Sequence, residues 1–187
     1  MSSNWPLCHA ARIVLGGGII AYPTEAVYGM GCDPYNPAAV ARLCAIKRRP
    51  PGKGLIVIAA HWQQLQGLVD LSQLDPGSYE QMHATWPGPV TWVVPAKISV
   101  APWLRGQYRT LAVRITAHPI ARQLCQISGQ ALVSTSANLS GHAPVTTQQA
   151  LHSSVRQQMD AVVAGKTGPL TRPTPIRDAR TQQIIRQ

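Results

Sequence analysis

Apolar residues recur along this chain with two alternating periods. Short apolar runs bounded by turn residues predict strands at residues 18–22, 55–59, 90–94, 111–115, 131–133, 161–164 and 183–186. Apolar residues at helical spacing predict a first helix from about Leu7 to Gly16, and further helices at residues 38–46, 62–69, 78–84, 119–127 and 147–159. Strands that alternate with helices are typical of an α/β sheet protein.

The organisation of the chain indicates one domain. Residues 87–95 carry a proline at each end, which favours an edge or antiparallel strand, so we expect a mixed sheet. The 187 residues can bury about 70% of their unfolded surface, and we expect residues 1–187 to form a single domain. Neither a signal peptide nor an apolar run near the roughly 20 residues of a membrane span is apparent. We therefore expect a cytoplasmic protein without a membrane partner.

The charge balance narrows the class of ligand. Lys and Arg total 17 against 7 Asp and Glu, which gives a formal net charge of +10. This excess indicates an anionic partner such as a nucleotide, pyrophosphate or RNA. The 6 His and 4 Cys have no metal-ligand spacing, so we expect reduced thiols and no protein-held metal. No motif of P-loop NTPases, Rossmann dehydrogenases, α/β-hydrolases or zincins is present.

Residues 21–33, AYPTEAVYGMGCD, form the first candidate site, which we interpret as a loop between a strand and the helix that Asn36-Pro37 opens. Loops at strand ends commonly bind ligands in α/β proteins. Thr24 and Glu25 should lie at the mouth of a crevice. Gly29 and Gly31 should let backbone approach closely.

Two further segments carry polar groups suited to an anion. Residues 47–53, KRRPPGK, could converge on a triphosphate, or could form a solvated basic loop after a helix. Residues 134–141, STSANLSG, end an apolar run with more donors and acceptors than one turn uses, which favours a polar pocket over simple capping.

Arg114 stands apart because it lies within an apolar strand, LAVRI, where a charge needs a partner. A bound carboxylate or phosphate is one candidate. Asp178 or Glu25, in a structural ion pair, is the alternative.

Six collinear segments give the chain a resemblance to the YrdC family in its short bacterial form: YPTEAVYGMGCDP, IKRRPPGKGLIVIA, WPGPVTWVVPA, AVRITAHPIA, LVSTSANLSG and PTPIRDA. The resemblance runs from about Ile19 to Asp178. It implies an α/β fold in which a twisted mixed sheet, flanked by helices, bends around a basic concave pocket. It also implies a nucleotidyltransferase that converts L-threonine, bicarbonate or CO2, and ATP into threonylcarbamoyl-AMP and pyrophosphate. That product serves threonylcarbamoyladenosine modification of tRNA at position 37.

The resemblance also implies roles for individual residues. The L-threonine site would comprise Thr24, Arg114, Ser134 and Thr174. The ATP site would comprise Lys47, Arg49, Lys53, Thr110, Ser136, Asn138 and Arg186. Mg²⁺ would accompany ATP and bridge its phosphates, with few protein ligands. Partners would include the other enzymes of the tRNA threonylcarbamoylation pathway.

Two alternatives remain open at this point. One is a non-catalytic module that holds double-stranded RNA or tRNA by its backbone, which the net charge favours. The other is carbamoyl-adenylate chemistry on different acceptors, as in YrdC-like domains of hydrogenase maturation proteins. Those proteins carry additional zinc-finger and acylphosphatase-like segments, and neither is recognisable in this sequence.

Overall fold

The computed structural model describes residues 5–50, 52–170 and 172–186. Its helices are α1 (Trp5–Leu15), α2 (Pro37–Lys47), α3 (Pro76–Ala84), α4 (Pro102–Arg105), α5 (Pro119–Ile127) and α6 (Ser153–Arg156). Its strands are β1 (Ile20–Pro23), β2 (Tyr28–Gly31), β3 (Ile56–Ala59), β4 (Thr91–Pro95), β5 (Thr110–Ile115), β6 (Leu132–Ser136), β7 (Ala161–Val162), β8 (Ile176–Asp178) and β9 (Ile184–Arg186). The ends of the predicted domain, and Pro51 of the basic segment, lie outside the described residues.

One mixed sheet organises the described part of the chain, as expected. Its nine strands run in the order β7-β1-β2-β6-β3-β5-β4-β8-β9. β3 pairs with β5 and β4 with β8 in parallel, whereas β1 with β2, β2 with β6, and β4 with β5 are antiparallel. β4 is therefore antiparallel to β5, as its prolines predicted, but the alternative of an edge strand is wrong because β8 pairs with its other side.

The register of the sheet determines which side chains share a face. The opposed pairs are Gly29 with Ser136, Ser134 with Ile56, Ile56 with Ala112, and Ile58 with Arg114. Opposed residues point to the same side of a sheet, and successive residues alternate between sides. Gly29, Ser134, Ser136 and Arg114 therefore lie on one side, which we call the site face.

The site face extends to the last two strands. Ala112 lies opposite Val93 of β4, and Thr91, two residues earlier, lies opposite Ile176 of β8. Ile176 in turn lies opposite Arg186 of β9. Arg186 is thereby brought to the same side of the sheet as Arg114, although 72 positions separate them in the chain numbering.

Apolar side chains cover the sheet on both sides. On the site face, α1 and α5 pack over Ile20, Ile58 and Leu132. On the other face lies the larger core, which includes Val57, Val113 and Val133 of the central strands. Neighbouring residues of one strand thus enter different cores, which is the period-2 pattern expected of a strand covered on both sides.

Helix α2 has the start that the sequence predicted. The Asn36 side chain accepts a hydrogen bond from the Ala39 amide at 3.1 Å, and Pro37 follows at the first helical position. The helix ends at Lys47 because Arg48 adopts the left-handed conformation, with φ of 51°. The buried side chain of Lys47 contacts the end of β6, whereas that of Arg49, beyond the turn, contacts the backbone at Lys53.

The structure corrects the interpretation of residues 21–33 as a loop. Residues 28–31 form β2, an interior strand between β1 and β6. Its two glycines lower the strand propensity, but the close approach of β6 requires the one at Gly31. A Cβ atom at Gly31 would collide with the Val133 carbonyl oxygen. The expected close backbone approach is confirmed, and the approaching backbone is β6.

Two helix predictions were wrong or incomplete, and two short elements were missed. The helix predicted at residues 62–69 is a single 3₁₀ turn, Trp62–Gln64, and that predicted at residues 147–159 is only α6. The His152 side chain accepts from the Ser154 amide, so the helix begins later than predicted. Strand β8 and helix α4 were not predicted, since each has four residues or fewer and is stabilised by tertiary neighbours. No helix in the described ranges has the length and apolar character to cross a bilayer.

Candidate active site

Arg114 lies at the centre of the site face and is only 4% exposed. Its Nη1 donates to Thr174 Oγ1 at 2.8 Å and to Thr91 Oγ1 at 3.0 Å. β4, β5 and the approach to β8 therefore each contribute one side chain to this group. The structure thus brings together two of the predicted threonine-site residues, Arg114 and Thr174, and adds Thr91.

Glu25 supplies the charge partner of Arg114. Its Oε2 lies 3.3 Å from Arg114 Nη2, and its side chain is nearly as buried. Its Oε1 accepts from Thr116 Oγ1 at 2.6 Å and from the Ala117 amide at 3.1 Å. Of the two acids considered from the sequence, Glu25 is the one that pairs, whereas Asp178 lies 3.9 Å from Arg180.

Thr24 and Ser134 lie on either side of Gly29. A Cβ atom built on Gly29 would be 3.1 Å from Thr24 Cγ2 and 3.4 Å from Ser134 Oγ. Thr24 Oγ1 donates to the Val27 carbonyl at 2.7 Å, which holds the residue in the turn between β1 and β2. A side chain at Gly29 would therefore crowd both hydroxyl-bearing residues.

Lys47 reaches across to the end of β6. Its Nζ lies 2.7 Å from the Ser136 carbonyl, 3.1 Å from both Ser136 Oγ and the Asn138 carbonyl, and 3.3 Å from Asn138 Oδ1. All of these partners are neutral oxygens. Burial, together with the charges of Arg49 and Lys53, lowers the pKa of Lys47 to about 8. Lys47, Ser136 and Asn138 are thus in contact, and the ammonium orders the polar segment after β6.

The two cations that follow Lys47 are positioned differently. Arg49 donates from Nε to the Lys53 carbonyl at 3.2 Å and from Nη2 to the Gly54 carbonyl, so its guanidinium braces the turn. Burial lowers the pKa of Arg49. Lys53 is exposed, and its backbone bridges to Gly106. Arg49 therefore stabilises the turn and Lys53 faces solvent, and convergence of these cations on a triphosphate stays a prediction.

Arg186, on the last strand of the sheet, lies near the positive charges of Arg114 and Arg49. Its Nη2 donates to the Thr174 carbonyl at 2.9 Å. Partial burial and the positive charges of Arg114 and Arg49 lower the pKa of Arg186. The guanidinium groups of Arg49, Arg114 and Arg186 therefore create a positive electrostatic potential on the site face. Thr110 begins β5 on the site face, opposite Pro95, with its side chain half-buried.

Two cavities lie elsewhere on the described surface. One, of about 390 Å³, is lined by residues 146–149 and 165–167. The other, of about 720 Å³, is lined by residues of the segments 70–73, 96–99 and 105–109. None of the predicted site residues lines either cavity. The expected basic pocket therefore corresponds to neither cavity, and the candidate site is defined by the site face.

A family model described as "Telomere recombination", for Sua5, YciO and YrdC proteins, matches residues 12–187. The chain belongs to the Sua5/YciO/YrdC family. A relative from Nitrosococcus oceani named threonylcarbamoyl-AMP synthase is 50% identical over 183 residues, which are 98% of each chain.

Solved structures of the family superpose on this fold. The crystal structure of P. abyssi Sua5 complexed with L-threonine matches with a TM-score of 0.87 and 29% identity, over 94% of this chain and 51% of that one. E. coli YciO matches with a TM-score of 0.86 and 25% identity, over 99% of this chain and 90% of that one. This member of the Sua5/YciO/YrdC family thus spans about half the length of P. abyssi Sua5.

Sequence reasoning did not identify all the residues that organise the site of this Sua5/YciO/YrdC member. Thr91, in β4, and Thr116, just after β5, lie within two of the family segments, but nothing in the sequence indicated which partner either hydroxyl contacts. Segment 165–170 was also missed, although its Gly168 amide donates to the Thr24 carbonyl at 2.9 Å. The one sequence feature that could have indicated this segment is Gly168, because glycine permits close backbone approach. In the structure a Cβ atom at this position would lie 2.5 Å from the Glu25 carbonyl oxygen.

Proposed function

We propose that this chain is an ATP-dependent threonylcarbamoyl-AMP synthase. It would combine L-threonine, bicarbonate or CO2, and ATP to give threonylcarbamoyl-AMP and pyrophosphate. The relative that carries this name covers 98% of the chain at 50% identity, and the threonine-bound neighbour shares the fold. The product would pass to the enzymes that modify tRNA at position 37, in the cytoplasm.

The observation that carries this proposal is the buried Arg114 on the site face, hydrogen-bonded to Thr91 and Thr174. A guanidinium presents planar, paired donors that match a carboxylate. A chain with 7 Asp and Glu residues has few internal carboxylates, so a substrate carboxylate is a natural second partner. Thr24 and Ser134 would contact the remainder of the amino acid.

The reaction needs a concentrated positive field more than it needs a strong base. The carbamate oxygen of the modified threonine would attack the α-phosphorus of ATP, and pyrophosphate would leave. Lys47, Arg49, Lys53 and Arg186 would neutralise the phosphate charge, with Thr110, Ser136 and Asn138 on the nucleoside side. The described residues contain no group of three or more potential metal-ligating side chains. Mg²⁺ would therefore depend mainly on the phosphate oxygens.

Release of pyrophosphate tests the proposal. The protein is incubated with ATP and Mg²⁺, and threonine and bicarbonate are added together or omitted singly. We expect release to require both small substrates and threonylcarbamoyl-AMP to appear in equal amount. Release that is indifferent to threonine would refute the synthase function. Tight binding of tRNA without turnover would favour the RNA-binding alternative instead.

A further inference from the structure

Glu25 is the one carboxylate-bearing residue in the described ranges whose side chain is almost fully enclosed, with 7% exposure. The chain has few acids, and this one lies on the site face of a strongly basic protein, in contact with the arginine proposed to bind substrate. An enclosed charge is costly unless its interactions are well satisfied.

Only half of the Glu25 carboxylate is satisfied. Oε1 accepts from the Thr116 hydroxyl and the Ala117 amide. Oε2 is buried and accepts no hydrogen bond, although it faces Arg114 Nη2 at 3.3 Å. Arg114 also keeps an unused donor, because its buried Nε has no acceptor. Each partner of the ion pair thus has capacity for a further polar group.

The pair presents opposite charges side by side, which is the complement of an α-amino acid zwitterion. In such a substrate a carboxylate and an ammonium group are attached to the same carbon atom. If the carboxylate binds Arg114, the ammonium lies within reach of a group adjacent to Arg114. Glu25 Oε2 is the unsatisfied acceptor at that place.

We infer that Glu25 Oε2 binds the α-ammonium group of threonine and accepts the proton that this group must lose. This inference rests on the proposed function. Carbamate formation removes two protons from the nitrogen. The ammonium first gives one proton to Glu25, which frees the nitrogen lone pair. The lone pair then forms the N–C bond with CO2, one C–O π pair moves to oxygen, and the second proton leaves to water. Glu25 returns its own proton to solvent.

The backbone around Glu25 is held firmly enough for this role. The Gly168 amide donates to the Thr24 carbonyl at 2.9 Å, and the Leu170 amide lies 3.4 Å from the Glu25 carbonyl. The Thr116 hydroxyl and the Ala117 amide fix Oε1, which holds Oε2 beside Arg114 Nη2. A base held in place before substrate arrives avoids the cost of ordering it during the reaction.

The variant Glu25→Gln tests the inference, because it keeps an oxygen for Thr116 and Ala117 but removes the charge. The parent should use the zwitterion, so its kcat/KM for threonine should change little between about pH 6 and pH 8.5. Glu25→Gln should depend on the small fraction of free amine. Its kcat/KM should be about 100-fold lower near pH 7 and rise roughly tenfold per pH unit.

A purely structural role of Glu25 would give a different result. It would lower kcat/KM by one factor at every pH, and that parallel pH profile would overturn the inference. Unchanged ATP affinity by calorimetry is the control that the nucleotide side is intact. Absence of threonine-dependent turnover in the parent would instead count against the proposed function, so the two failures are distinguishable.

A measurement on the parent protein covers the case in which Glu25→Gln does not fold. The probe is 2,3-dihydroxybutanoate, which carries a hydroxyl group where threonine has its amine. We expect calorimetry to show at least tenfold weaker binding of this probe than of L-threonine. Equal binding of the two compounds would mean that no group recognises the ammonium, and the inference would fail.

Discussion

The unusual environment of Lys47 predicts a measurable dependence of stability on pH. Its Nζ is surrounded by neutral oxygens of Ser136 and Asn138, and its pKa falls from 10.5 to about 8 in the folded protein. Below about pH 8 Lys47 is charged in both the folded and unfolded states. Between that pH and 10.5 the unfolded chain binds more protons, so stability attributable to Lys47 rises with pH.

The size of this stability change follows from the lowered pKa of Lys47. A displaced pKa of this size makes the buried charge cost roughly 3 kcal/mol at pH 7. About 2 kcal/mol of that cost should vanish between about pH 7 and pH 9.5 as the folded protein releases its proton. Cys32 and Cys125 also contribute in this range, because their thiols titrate near 9.0 in the unfolded chain, whereas burial raises their pKa to about 12 in the folded protein. A difference between two proteins is therefore required.

Urea unfolding of the parent and of Lys47→Met at several pH values isolates this contribution. Removal of the hydrogen bonds to Ser136 and Asn138 lowers stability by an amount that does not depend on pH. The free energy of unfolding of the parent minus that of the variant should rise by about 2 kcal/mol over this range. Lys97→Met, at an exposed lysine, is the matched control and should show no such rise. A flat or falling difference for Lys47→Met would refute the reasoning.

Two further predictions concern the acidic and cationic partners of the site. In Gly168→Ala the new Cβ would lie 2.5 Å from the Glu25 carbonyl oxygen, so we expect a loss of about 1–3 kcal/mol in urea unfolding and reduced threonine-dependent turnover. Gly67→Ala, with no atom within 4 Å, should change stability by no more than about 0.5 kcal/mol, and equal effects of the two variants would contradict the steric argument. Arg114→Lys keeps the charge but loses the paired planar donors, so the KM for threonine should rise at least tenfold while that for ATP stays within about twofold. Equal changes in both constants would argue against a carboxylate site at Arg114.

The sequence alone predicted the elements whose signal is local. The α/β alternation, the mixed sheet and the start of α2 at Asn36 follow from spacing and capping, and the structure has all three. Failures occurred where an element depends on its neighbours. The two glycines of β2 have low strand propensity, yet β1 and β6 supply hydrogen-bonding partners on both sides. Short β8 exists only because β4 and β9 flank it.

In the candidate site, too, some features could be predicted from the sequence and others could not. Residue types and family order in the sequence were enough to name the cations and hydroxyls as candidates, most of them in the quoted family segments and two, Thr110 and Arg186, outside them. The contacts between them could not be read from the sequence, since Glu25 and Thr116 are separated by 91 positions and Lys47 and Ser136 by 89. Sheet register decides such contacts, and a shift of one residue would turn Ser134 and Arg114 to the opposite face. The sequence therefore determined which chemical groups are present, whereas tertiary structure decided that Arg114 faces Glu25 and that Lys47 points at neutral oxygens.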